Sequence, residues 1–159
     1  TLSVGSETAT TTVPGRLVPP VSDTNIALTG TATASSVEQD LPQFAPEFAI
    51  DGDRTTRWAS HYDDGAWLQV ELAEPARVGK VVLDWEAACG KAYEIQVSSD
   101  GSTWTTVASV SDGLCQRTEL RFDSGGPVSF VRMQGITRAT QWGYSLWELE
   151  IYPVREAAA

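Results

Sequence analysis

A single histidine and two cysteines in 159 residues leave almost no material for a zinc site, a Ser/His/Asp triad or a redox pair. Neither cysteine belongs to a CxxC pair, and there is no GxSxG elbow and no HExxH motif. No uninterrupted apolar run approaches the ~20 residues that a membrane-spanning helix needs. No segment of helical length carries a 3.6-residue period. A basic-then-apolar leader is missing at the start, so the chain reads as a mature or excised segment. Cationic residues are scarce as well: 11 Lys and Arg stand against 21 Asp and Glu, a formal net charge of -10, with no basic cluster anywhere. Such a surface repels polyanions, which argues against nucleic acid, anionic lipid and acidic polysaccharide as partners.

What is present is a period of two. Leu68, Val70 and Leu72 alternate with polar neighbours in "WLQVEL", and Tyr93, Ile95 and Val97 do so in "YEIQVS". Thr118, Leu120 and Phe122 share one face of "RTELRF", while "LWELEIY" sets Trp147, Leu149 and Ile151 against Glu148 and Glu150. These are half-buried antiparallel strands. "RVGKVVLDW" and "VSFVRMQG" are apolar on both faces and read as interior strands, and "STWTTVASV" as a short one. Turn signals such as "SSDGS", "SDG" and "DSGGP" separate them. Many short strands in one domain-sized chain predict an all-β sandwich or jelly roll.

Residues 1–24 are rich in Thr, Ser, Val and Pro without a sustained period and read as a linker or N-terminal arm. The folded unit is expected over 25–154, with 155–159 as a tail. Cys89 and Cys115 are expected to form a disulfide, two separate thiols being the alternative; closing that loop of about 26 residues would stabilise by about 3.5 kcal/mol on the chain-entropy account. A disulfide implies an oxidising, extracytoplasmic setting.

The stretch "FAIDGDRTTRWAS", Phe48 to Ser60, lies in a long connection between the strand near Thr31–Ser36 and the one starting at Trp67. Loops of that length in a small domain are usually functional or tied down. Calcium takes six to eight oxygens, and a tight turn delivers carbonyls beside carboxylates and hydroxyls. Asp51 and Asp53 flank Gly52, and Thr56 offers a carbonyl and a hydroxyl. The loop is not an EF-hand: its fifth position is Thr55 and its twelfth is Tyr62, where a bidentate Glu is needed. A metal-free Asx-turn is the alternative. Trp58 reads as a core plug beneath the loop.

Together with "WLQVEL", "VVLDWE", "YEIQVSSDGSTW", "VRMQG" and "YSLWELEIY", this stretch resembles the coagulation factor 5/8 type C, or discoidin, domains, and among them carbohydrate-binding module family 32. The likeness spans Asn25 to about Tyr152. It implies a jelly roll of about eight antiparallel strands, with a structural Ca²⁺ held by the carbonyl of Phe48 and by Asp51, Asp53, Thr56 and Glu148. Glu148 would reach back from the last strand to the loop; alternatively it is a solvent-facing edge residue. The resemblance also implies a sugar site on loops at one end of the sandwich, where rings stack on C–H faces and polar groups bind hydroxyls. The candidates are Glu38 in "SSVEQD", Arg57 and Tyr62 in "TRWASHYDDG", and Trp142 and Tyr144 in "TRATQWGYS". His61 lies in the same loop and reads first as a loop residue, with sugar contact as its alternative. For each of the others a structural role is the competing reading: an ion pair for Arg57, core cover for Tyr62, burial for Tyr144. The expected function is non-catalytic: a monomeric module that holds a secreted bacterial glycoside hydrolase on a β-glucan, chitosan or galactose-type polysaccharide. An adhesion module for protein or lipid, and a small glycan-active enzyme, are the other classes.

Overall fold

The computed structural model describes residues 9–11 and 19–155; what the sequence suggests for 1–8, 12–18 and 156–159 lies outside the described residues. Two five-stranded sheets face each other. The first runs in the order β1 (Ala9–Thr11), β8 (Arg117–Arg121), β5 (Val78–Trp85), β10 (Ser145–Pro153), β3 (Trp58–Ala59). The second runs β2 (Thr31–Ala34), β4 (Trp67–Ala76), β9 (Val128–Arg138), β6 (Gly90–Ser98), β7 (Thr105–Val110). Every pairing is antiparallel except β1 with β8. The described residues thus hold ten strands rather than about eight. The two additions left no period to read: β3 is two residues long and β1 three, set in the Thr-rich arm.

The alternating residues meet between the sheets. Leu68, Val70, Tyr93, Ile95 and Met133 pack from one side against Val81, Leu83, Leu120, Leu149 and Ile151 from the other, all fully buried. The doubly apolar segments are the interior strands: β5 lies between β8 and β10, and β9 between β4 and β6. Helical structure among the described residues is confined to 3₁₀ turns of three or four residues. Among the described residues no helix is long and apolar enough to cross a membrane.

On the outer face of the second sheet the Arg132 guanidinium lies 3.9 Å from the Trp104 ring centre and 5.4 Å from that of Trp67. It donates twice to the Gln96 carboxamide oxygen, at 3.0 and 3.2 Å. That stack packs two partly buried tryptophans, one on β4 and one just before β7, through cation–π contact. Cys89 and Cys115 are bonded, with Cα atoms 5.3 Å apart.

Residues 20–22 lie beside the point where the chain leaves the domain. Val21 pairs with Val154, Ser22 N–H donates to the Pro153 carbonyl, and Arg155 N–H donates to that of Pro20. All of this lies at the start of β5, where a Cβ on Gly79 would touch Val21 and Val154. The loops discussed next gather at the other end of that strand.

Candidate functional site

The end of β5 continues into Glu86, Ala87 and Ala88, and the end of β9 into the loop that carries Trp142. Backbone bonds lock these loops together: Ser145 N–H donates to the Ala88 carbonyl, Glu86 N–H to that of Ser145, and Ala139 N–H to that of Cys89. The 3₁₀ turn Glu38–Asp40 and the segment His61–Tyr62 close the rim, joined where His61 N–H donates to the Ser36 hydroxyl at 2.9 Å.

Five of the six sequence candidates come together here. The Tyr62 hydroxyl donates to the Glu38 carboxylate at 3.0 Å. Its ring stands edge-on to Trp142, with centres 5.6 Å apart and planes at 78°. Both rings are about half exposed, 45% for Tyr62 and 48% for Trp142, so neither covers the core. The Glu38 carboxylate pushes the Tyr62 pKa above the ordinary phenol value through that hydrogen bond. His61 Nε2 is 3.5 Å from the Asp40 carboxylate. Arg57 is fixed from several sides: it donates to the Ser145 hydroxyl at 2.6 Å, lies 4.4 Å from the Phe44 ring centre, and is 3.9 Å from the Glu86 carboxylate. Neither Asp53 nor Asp63, the carboxylates nearest in sequence, is its ion-pair partner.

Tyr144 does not belong to this rim. It is fully buried, its hydroxyl donates to the Asp64 carbonyl at 2.6 Å, and its ring tilts against Trp85. The expectation of exposure fails because Gly135, across in β9, lacks a side chain; a Cβ there would fall on the Tyr144 ring. Trp58 is fully buried beneath the loops, as its sequence context suggests. Glu86 was missed by sequence reasoning. It shares with Glu38, Arg57 and Trp142 a hollow of about 220 Å³ floored by Ala87 and Ala88. Its position directly after an interior strand was the available signal.

The acidic loop lies against the outer face of β10. Gly52, at φ +74°, turns the chain so that its N–H donates to Glu148 Oε2 at 2.8 Å. Glu148 is 2% exposed, so the reading of it as a solvent-facing edge residue is set aside. The other carboxylate oxygen, Oε1, is buried with no hydrogen-bond partner. Burial first, then the Asp51 and Glu150 carboxylates, push the Glu148 pKa up to about 7, against the Gly52 N–H. Within the loop the Thr56 hydroxyl donates to Asp51 at 2.6 Å, and Asp53 accepts from the Thr55 hydroxyl and amide, which hold its pKa below the usual carboxylate value. Among the described residues no three His, Cys, Asp or Glu side chains converge as a metal cluster. An orphaned carboxylate oxygen, facing a turn rich in oxygens, nevertheless has the donor chemistry of a hard-cation site. Glu150 is buried beside it but satisfied. Burial raises its pKa, yet the bidentate Arg117 pair at 3.0 Å, the Tyr152 hydroxyl and Arg54 outweigh that and hold it low.

The family model of the F5/8 type C domain matches residues 31–149. The chain belongs to the F5/8 type C domain family. Domains of this family are binding modules, and this one has no catalytic role. Chitosan-binding module 1 from a chitosanase/glucanase of Paenibacillus sp. IK-5 is 41% identical, with 81% of this chain and 98% of that one covered, at a TM-score of 0.75. Module 2 of the same enzyme, solved with chitotriose, is 40% identical over 80% of this chain and 99% of that one, also at 0.75. Among curated proteins, the polysaccharide lyase 8 family protein HylA of Enterococcus faecalis is 37% identical over 95 residues, 58% of this chain. That match spans 7% of the lyase's length.

Proposed function

We propose that this domain binds a hexose polymer of the chitosan type, as an accessory module of a secreted polysaccharide-degrading enzyme. The observation that carries the reading is the hollow shared by Glu38, Arg57, Glu86 and Trp142, with Tyr62 edge-on to the tryptophan. The chemistry fits amino sugars. Trp142 and Tyr62 offer rings for C–H faces, and Arg57, already fixed, can donate to hydroxyls. Glu86 offsets the guanidinium, which leaves Glu38 to attract an ammonium group, and a net charge of -10 favours the approach of a cationic polymer. The 40–41% identity to modules described as chitosan-binding supports the same class. So small a site is expected to bind in the millimolar to micromolar range, about -4 to -8 kcal/mol.

In this reading a Ca²⁺ ion ties the acidic loop to β10. It would be held by the Phe48 carbonyl, Asp51, Asp53, Thr56 and Glu148, and would supply the charge that the orphaned Glu148 oxygen lacks. The family 32 assignment, the extracellular setting and a monomeric state belong to the same proposal.

Retention on affinity gels containing chitosan, β-glucan or galactan tests it. Retention is expected to be greatest on chitosan and to weaken with salt. Tyr62→Ala is expected to lose most of it with little change in melting temperature, since the ring is half exposed. Equal retention of the variant, or preference for galactan, would overturn the amino-sugar reading.

A further inference from the structure

The hollow that contains Glu86 has a neighbour. A second hollow, of about 260 Å³, is lined by Glu38, Gln39, His61 and Tyr62. The two share Glu38, whose carboxylate is tied to the Tyr62 hydroxyl.

The backbone of the second hollow is unusual in its own right. Gln39 and Asp40 are consecutive non-glycine residues in the left-handed region, at φ 51° and 55°, and no other described non-glycine residue has positive φ. Such residues cost about 1 kcal/mol or more each and persist where the surroundings over-determine them, often at ligand clamps. Here the strained pair brings the Gln39 carboxamide to the hollow and sets the Asp40 carboxylate 3.5 Å from His61. The wall therefore offers a carboxamide with donors and an acceptor, an imidazole oriented by a carboxylate, and the Tyr62 ring.

We propose that this second hollow is a subsite for the adjoining sugar of the same chain. The domain would then read at least two consecutive units of a polymer rather than one terminal residue. Gln39 and His61 would bind hydroxyls of the second unit, and Tyr62 and Glu38 would be shared between the two. This inference rests on the proposed function, because it takes the first hollow to hold a sugar.

Titration of the whole chain with glucosamine, its β-1,4 dimer and its trimer, followed by calorimetry or amide chemical shifts, tests it. The readout is the ratio of trimer to monomer affinity. One added set of hydrogen bonds should make that ratio about tenfold or more for the unaltered protein. Gln39→Gly and His61→Ala should bring it near one. Gln39→Gly should melt no earlier than the unaltered protein, since glycine adopts positive φ freely, so its loss would come from the carboxamide alone. Glu86→Ala, on the other hollow, should weaken every member of the series and keep the ratio. A ratio near one for the unaltered protein, or an unchanged ratio in both second-hollow variants, overturns the subsite. Absence of binding to any member of the series overturns the proposed function, and the subsite falls with it.

Discussion

Glu148 shows what a single side chain can report. Its pKa is raised in the folded state to about 7, chiefly by burial, from an ordinary value of 4.5. In the range between those values the folded domain holds a proton that the unfolded chain has released. By linkage, the contribution of this group is fully present below about 4.5 and is lost as pH rises through about 7. In metal-free buffer the melting temperature of Glu148→Gln should therefore gain on that of the unaltered protein as pH rises through this window. Added Ca²⁺ should raise the melting temperature of the unaltered protein more at pH 8 than at pH 5, and should do little for the variant. Parallel melting curves across pH, with and without calcium, check both. A calcium response that survives in Glu148→Gln would remove that residue from the ligand set. At this scale the sequence was legible wherever the local context decides exposure. Trp142 and Tyr144 share a context of Gly143 and short polar residues that suggests exposure for both; Trp142 is exposed, but Tyr144 is buried by a missing side chain in another strand. No neighbouring residue encodes that.

Among elements, the period of two carried most of the fold. The faces read for β4, β6 and β8 are the buried ones, because one side of each strand meets the core and the other meets water or ions. On β10, alternation puts Glu148 and Glu150 opposite Leu149 and Ile151 without saying what covers them. A loop nearly a hundred residues away and the Arg117 side chain of β8 do so, and both are long-range facts. A register shift between Leu146 and Glu148 also takes Trp147 out of the inward phase. The turn between β5 and β6 is the element with the clearest consequence. The disulfide pins it, and the Ala88 and Cys89 carbonyls in turn hold the backbone around Trp142. Replacing both cysteines by serine is expected to cost about 2–4 kcal/mol of stability. It should also weaken polysaccharide retention in protein that remains folded, which denaturant melts paired with gel retention would show. Retention unchanged at full folding would mean that the bridge stabilises the fold without shaping the rim.

For the molecule as a whole, the informative relation is between the two ends of β5. The chain leaves the domain at Val154, beside Gly79, and Glu86 sits at the far end of the strand, whereas Ala9 lies level with Leu83, near the Glu86 end. Eight residues of strand span about 26 Å. A folded partner fused at the carboxyl end of the chain should therefore leave the affinity for a soluble chitosan oligomer unchanged. Calorimetry on a carboxyl-terminal fusion checks this, and a loss of affinity would mean that the rim lies closer to that terminus than the strand suggests. The sequence could not have given this distance, since it depends on which residues of the arm meet the last strand.

The pairing of Val21 with Val154 has a consequence for how such a domain is handed between genes. The stretch from Val21 to Val154 closes on itself at one point and can be gained or lost as a unit with little detour in its flanking segments, β1 being added on the outer edge of the first sheet. Under the proposed function, that closed unit would present the rim around Trp142 to a polymer surface.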